Sequence, residues 1–180
     1  MHIPQSAWAL EHHRFGLAGE GQADVVEKFL VRYRGVVADV GCGLQGQQAS
    51  NLARLCRWLV AVDKNPGMVR AASLDPNAPN ITFVAANAYD LPFAAAAFDS
   101  VVALGLLAYI TDLTRLLAEF RRVVRKGGMI ILTDSVGRSD RPVLSAAAAA
   151  ALRLVEESEA HCPAASGSIK RRRLLVFEAR

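Results

Sequence analysis

The stretch Asp39-Val40-Gly41-Cys42-Gly43-Leu44-Gln45-Gly46 holds the residues best suited to chemistry, and Asp63 closes the next apolar run behind it. Glycines behind a β-branched run let a backbone come close to a ligand, and an acid roughly 20 residues on can accept from the hydroxyls of a ribose. Gly41-x-Gly43-x-x-Gly46 with Asp63 fits a dinucleotide fingerprint, a weak sign by itself because glycine turns are common. Asp39 tips the balance. A carboxylate in the same turn repels a pyrophosphate and suits a ligand bearing an ammonium group. S-adenosylmethionine carries that ammonium on its methionine tail and has no phosphate, so charge favours the methyl donor over a nicotinamide or flavin dinucleotide.

Few other side chains compete for a chemical role. Tyr109 follows a β-branched run, where a tyrosine can pack beneath the next helix. His12 and His13 fall in Trp8 to Gly19, a segment without strong period that reads as a lid or a packed amino-terminal arm. His161 and Cys162 are neighbours with no partners at metal-ligand spacing. Cys42 suits a turn filler better than a nucleophile, and the odd total of 3 cysteines points to a reducing, cytoplasmic compartment. No apolar run nears the ~20 residues that span a bilayer, and Met1-His2-Ile3-Pro4-Gln5 lacks the pattern of a secretion signal. The formal charge is +4, with basic runs at Lys170-Arg171-Arg172-Arg173 and at Arg121-Arg122 with Arg125-Lys126. Without interleaved aromatics these runs read as a charged edge strand and a solvated helix face, so a nucleic-acid partner is not expected.

The elements that must position these residues alternate short β-branched runs with helical stretches over 180 residues. That pattern predicts one domain, 1–180, with an arm and helix over 1–34 ahead of a βαβ core over 35–180. Strands are expected at Val36–Val40, Trp58–Val62, Ile81–Ala85, Phe98–Leu104, Met129–Thr133 and Arg173–Glu178. Helices are expected at Gly21–Tyr33, Gln47–Arg57, Pro66–Ala72 and Asp112–Arg125. In the last, Leu113, Leu116, Leu117, Phe120, Val123 and Val124 recur at helical spacing, and Gly127-Gly128 stops it. Ser145 before an alanine run predicts a capped helix to about Glu157. Ala160 to Ser168 is too rich in Ala, Ser, Pro and Gly to read as a strand.

With these elements in order, the chain from Val36 to Asp134 resembles the class I S-adenosylmethionine-dependent methyltransferases. Asp39-Val40-Gly41-Cys42-Gly43 looks like that family's first motif. Val62-Asp63-Lys64-Asn65-Pro66-Gly67-Met68 is similar to its second, whose acid holds the ribose hydroxyls. Ala86-Asn87-Ala88-Tyr89-Asp90-Leu91-Pro92-Phe93, followed by Phe98-Asp99-Ser100-Val101-Val102, looks like its adenine-binding loop and fourth strand. Leu116 to Thr133 is similar to the helix, turn and fifth strand that close the pocket. The resemblance implies a three-layer α/β/α Rossmann-like sandwich, with a mostly parallel six- or seven-stranded sheet and an antiparallel carboxyl-terminal strand. It also implies S-adenosyl-L-methionine held by Asp39, Gly41, Cys42, Gly43, Gln45, Asp63, Lys64, Met68, Asn87, Ala88 and Leu104. Tyr109 and His13 are then the candidates for chemistry at the acceptor.

Two positions depart from the family's pattern: Gln45 stands where glycine is usual, and Asn87 where aspartate is common. An asparagine carbonyl can still accept from the adenine amino group, and the Ala88 N–H can donate to the ring. No Asn/Asp-Pro-Pro-Tyr follows the fourth strand; Leu104-Gly105-Leu106-Leu107 stands there, which counts against methylation of base or glutamine amino groups. Only about ten residues, Ser135 to Leu144, separate the fifth strand from the last helix. The acceptor side is therefore expected to be open, closed by the amino-terminal arm, by the second subunit of a homodimer or by a large substrate. The resulting expectation is methyl transfer to a small or medium-sized organic acceptor, with no membrane association. The rivals are a cofactor-binding, non-methylating member of the same fold and an NAD(P)-dependent oxidoreductase.

Overall fold

In the computed structural model, which describes residues 26–30, 35–43, 47–67, 69, 79–135, 143–163 and 169–180, the near-continuous apolar runs become strands, and those at 36–40, 58–63 and 98–104 are buried on both faces. β1 is Val36–Val40, β2 Trp58–Asp63, β3 Ile81–Ala85 and β4 Phe98–Leu104. β5 is Val124–Ser135, β6 Leu152–Pro163 and β7 Ile169–Ala179. They join in one 7-stranded sheet in the order β3-β2-β1-β4-β5-β7-β6. β1 to β5 pair in parallel, while β7 runs antiparallel to both β5 and β6. Strand order reverses between β1 and β4, the switch point beside which open α/β sheets bind ligands at their carboxyl ends.

Helices cover both faces and divide the core in two. α1 is Gln47–Ala53, α2 Leu113–Val123 and α3 Val143–Ala149, with a 3-10 turn at Leu106–Tyr109. On one face Leu116, Leu117 and Phe120 of α2 and Ala146 of α3 pack on Ala38, Val101, Ile130 and Leu132. On the other, Ala49 and Leu52 of α1, with Phe29 and Leu30 of the helical stretch 26–30, pack on Val37, Ala61, Val102 and Ile131. The 3.6-residue period of α2 produces its buried stripe, and Asp112 caps it by accepting from the Arg115 N–H at 2.9 Å. No helix among the described residues is long and apolar enough to cross a membrane.

Strands β1, β3 and β4 match the expected bounds, and the helices are shorter than expected. α1 ends at Ala53 rather than Arg57. α2 ends at Val123, because Val124 turns extended and pairs with Phe98 to start β5. Arg125-Lys126-Gly127-Gly128 then bulges out of the ladder, and the Arg125 Nε meets Asp99 Oδ1 at 2.7 Å. Of the helices expected at 21–33 and 66–72, residues 26–30 and 66, 67 and 69 are described, and all are helical.

The carboxyl third requires a correction. The helix expected from Ser145 to about Glu157 stops at Ala149, and Ala151 at φ 56° turns the chain back. Leu152 to Pro163 forms β6 instead, including the start of the segment read as too irregular for a strand. Leu, Arg and Glu favour helix locally, but the ladder from Leu152↔Ala179 to Pro163↔Ile169 overrides that preference. Charge complements the register: Arg153 pairs with Glu178, Arg173 with Glu157 at 2.5 Å, and Arg171 with Glu159 at 3.7 Å. The basic run at 170–173 therefore lies on an interior strand, and the acidic β6 forms the edge.

Candidate functional site

The carboxyl ends of β1 and β2 bring the glycine turn and Asp63 together. Gly41 and Gly43 hold φ angles of 84° and 70°, a left-handed backbone that a side chain would strain. At Gly41 a Cβ would also stand 2.9 Å from Leu106 Cδ1, whereas at Gly43 nothing among the described residues lies within 4 Å. The N–H groups of Gly41 and Cys42 donate to the Val62 carbonyl at 2.7 and 3.1 Å, pinning the turn to the end of β2. Asp63 is half-buried; its Oδ2 accepts from the Gly43 N–H at 3.1 Å and its Oδ1 from the Asn65 N–H at 2.9 Å. Each oxygen keeps a further lone pair for a ligand hydroxyl.

Asp39 belongs to β1 itself, opposite Ala61 of β2 and Val102 of β4, and is 2% exposed. Its Oδ2 has no hydrogen-bond partner among the described residues. Burial, and next the charge of Asp63, pushes its pKa up to about 7. A buried acceptor without a donor is costly, and a cationic donor is the group that would satisfy it. Cys42 is buried too. Burial first, then Asp39 and Asp63, push its thiol up to about 12, so it fills the turn as a neutral side chain rather than a nucleophile.

A second group of candidates lies just past β3, where the Ala86 N–H donates to the Asp63 carbonyl at 2.9 Å. Asn87 is exposed and Ala88 half-buried. The Asn87 Oδ1 accepts from the Tyr89 N–H at 3.0 Å, and its carbonyl accepts from the Asp90 N–H at 2.9 Å. Part of the capacity expected to face a base thus shapes the turn, and the second lone pair of Oδ1 is left for a ligand. The loop is bolted to α2: Glu119 Oε1 accepts from the Leu91 N–H at 2.7 Å, and Arg122 donates to the carbonyls of Leu91 and Phe93 at 3.0 and 2.7 Å. Tyr89, which the sequence did not single out, reaches from this loop to residues 22 and 23 positions later, Thr111 and Asp112. A lone tyrosine in a polar turn gives no sign of partners so distant.

Leu104 ends β4 half-buried, and the next N–H, that of Gly105, donates to Thr133 Oγ1 at 2.7 Å. Tyr109 ends the 3-10 turn at 81% exposure, so it does not pack beneath the adjoining helix. Lys64 is exposed beside Asp63. Gln45, Met68 and His13 lie outside the described residues.

The family profile described as "Methyltransferase domain" matches residues 38–132. A fatty-acid O-methyltransferase of Mycolicibacterium smegmatis is 34% identical over 108 residues, which are 59% of this chain and 39% of that enzyme. The chain spans less than half the length of the curated relatives it matches. Among solved structures, a S-adenosylmethionine-dependent methyltransferase of Methanosarcina mazei superposes with a TM-score of 0.73 at 15% identity, covering 86% of this chain and 96% of that one. The [4+2]-cyclase SpnF superposes with a TM-score of 0.68 at 16% identity, covering 87% and 81%. The shared architecture is the Rossmann-like sandwich with its antiparallel β7.

Proposed function

The chain belongs to the methyltransferase domain family that residues 38–132 match, and from that premise we propose that it binds S-adenosyl-L-methionine over the carboxyl ends of β1 to β4 and transfers its methyl group to a small or medium-sized organic acceptor. The observation that carries this reading is Asp39, a buried carboxylate whose Oδ2 has no partner among the described residues, beside a glycine turn at which no described residue lies within 4 Å of a Cβ on Gly43. The ammonium of the methionine tail suits that oxygen. A pyrophosphate would add negative charge where Asp39 and Asp63 already repel each other.

The remaining roles extend this proposal to the residues that the resemblance implies. Gly41, Cys42 and Gly43 give the close backbone approach, Gln45 is assigned to the same ligand by the resemblance, and Asp63 accepts from the ribose hydroxyls. Asn87 and the Ala88 N–H address the edge of the base, while Lys64, Met68 and Leu104 border it. When bound, the cofactor supplies an electrophilic methyl group whose leaving group is a neutral thioether. The chain's own share is orientation and exclusion of water, with a base only for a weakly acidic acceptor such as a hydroxyl. Tyr109, exposed at the end of the 3-10 turn, is the side chain we assign to the acceptor, and His13 of the arm is the second. The relative named a fatty-acid O-methyltransferase supports an acceptor of small-molecule class.

Two substitutions test these assignments. Asp63→Ala is expected to weaken S-adenosylhomocysteine binding by about 1.5–3 kcal/mol in calorimetry, because the ribose loses a charged acceptor. Unchanged affinity would remove Asp63 from the site. Tyr109→Phe is expected to lower turnover while cofactor affinity holds; equal turnover would take Tyr109 out of the chemistry. A second reading, cofactor binding without methyl transfer, is favoured by the fold shared with a protein named a [4+2]-cyclase. It predicts tight binding with no transfer across a broad acceptor screen. Titration of S-adenosylmethionine against NAD(H) separates both from an oxidoreductase.

A further inference from the structure

The connection from β4 to α2, residues 105–112, is held at both ends by the loops assigned above to the cofactor. At its start the Leu106 side chain fills the space that a Cβ on Gly41 would need, 2.9 Å from Leu106 Cδ1. At its end the Tyr89 phenol oxygen accepts from the N–H groups of Thr111 and Asp112, each at 3.1 Å, and lies 3.5 Å from Thr111 Oγ1. The Arg115 guanidinium stands 5.3 Å over the Tyr89 ring. Burial would raise the phenol's pKa, but the hydrogen bonds from Thr111 and Asp112 outweigh it and the net shift is downward.

These contacts form a continuous path. The Asp63 carbonyl accepts from the Ala86 N–H, Asn87 Oδ1 accepts from the Tyr89 N–H, and the Tyr89 oxygen accepts from the first N–H groups leading into α2. Between the two anchors stands Tyr109, exposed at the end of its turn. We propose that Tyr89 is a positioning residue that couples occupancy of the base-side turn, Asn87–Asp90, to the placement of the 105–112 connection and so of Tyr109. The inference rests on the cofactor reading above. A ligand that orders Asn87 and Ala88 orders Tyr89 with them, and the phenol carries that order to the connection.

Tyr89→Phe isolates the link, because it keeps the ring under Arg115 and leaves Asp112 to cap α2 through the Arg115 N–H. Thr111 and Asp112 are exposed, so water takes their N–H groups and the fold stands. The readout is amide hydrogen exchange with and without S-adenosylhomocysteine. In the unsubstituted protein the ligand is expected to slow exchange at 87–90 and also at 106–112, by at least about fivefold, the low end of measured couplings between sites. In Tyr89→Phe the protection at 87–90 stays and that at 106–112 disappears. Thr111→Pro removes the N–H and the hydroxyl of Thr111 but keeps Tyr89 and the Asp112 N–H, next to an Ile110 whose extended φ −94°, ψ 131° tolerates a following proline; it is expected to lower the 106–112 protection partway. Exchange in α2 checks folding in both variants. Protection at 106–112 that survives both substitutions, or that is missing in the unsubstituted protein while 87–90 is protected, overturns the proposal. Absence of binding heat and of protection everywhere overturns the cofactor reading instead.

Discussion

Asp39 makes ligand binding and stability depend on pH in opposite senses. Burial first and Asp63 second raise its pKa from 3.8 to about 7. Between those values the folded, ligand-free protein keeps a proton that the unfolded chain has released, so stability falls as pH rises through this window and levels off above it. At Asp99 the Arg125 guanidinium and the Val36 N–H outweigh burial, and at Glu119 Arg122 leads, so both carboxyls are held low. Their contribution is present above the usual carboxylate range and is lost only toward acid, so neither obscures the fall that Asp39 produces from about pH 5.5 to about 7. The melting temperature of the ligand-free protein is expected to fall across that range by more than that of Asp39→Asn. A ligand ammonium group needs the ionised form, so S-adenosylhomocysteine affinity should weaken by up to about tenfold per pH unit below about 7, with a proton released on binding. Calorimetry in two buffers of different ionisation enthalpy reads that proton; affinity independent of pH would place Asp39 out of the ligand's reach. The residue type and its place before the glycines were visible in the chain. Its orphaned oxygen was not, because that comes from β2 and β4 closing on β1.

At the scale of elements, α2 shows what makes a segment legible. Its stripe of Leu113, Leu116, Leu117, Phe120 and Val123 is periodic, all five are buried, and its cap is a local Asp112. Asp112→Ala is expected to cost about 1 kcal/mol of stability in urea unfolding, the usual value of such a cap. An unchanged midpoint would mean that the Tyr89 oxygen alone holds the helix start. The β1, β2 and β4 runs were equally legible, since strands buried on both faces read as continuous β-branched segments, whereas the half-exposed edge strand β3 was legible from its β-branched and aromatic residues. β6 was not. Its Leu-Arg-Leu-Val-Glu-Glu start follows an alanine helix and carries no period-2 signal, and Val155 sits at a bulge between Leu154 and Glu156. What holds β6 extended is its partner, the Arg-rich β7 opposite its glutamates. Pairings between distant segments are invisible to any local window, as were those of Tyr89 and Glu119.

For the whole molecule, the recognisable part and the folding unit differ. The family match ends at residue 132, inside β5, yet β5 pairs with β7 from Met129 to Ser135. β7 also feeds both halves of the core: Leu175 and Phe177 join the cluster under α2 and α3, and Leu174 and Val176 join the one under α1. These four residues are at most 1% exposed. At about 1.5–3 kcal/mol for each buried side chain they contribute roughly 6–12 kcal/mol, as much as the entire 5–15 kcal/mol margin typical of a domain. A chain cut after Ala151 would keep every residue assigned to the cofactor and lose that contribution. It would also bare the apolar edge of β5, a template for pairing between copies. The truncated chain is therefore expected to aggregate and to show no cooperative thermal transition with or without S-adenosylhomocysteine. A soluble fragment that melts cooperatively and binds the ligand would show that the glycine turn, Asp39 and Asp63 can be held in place by the first five strands alone.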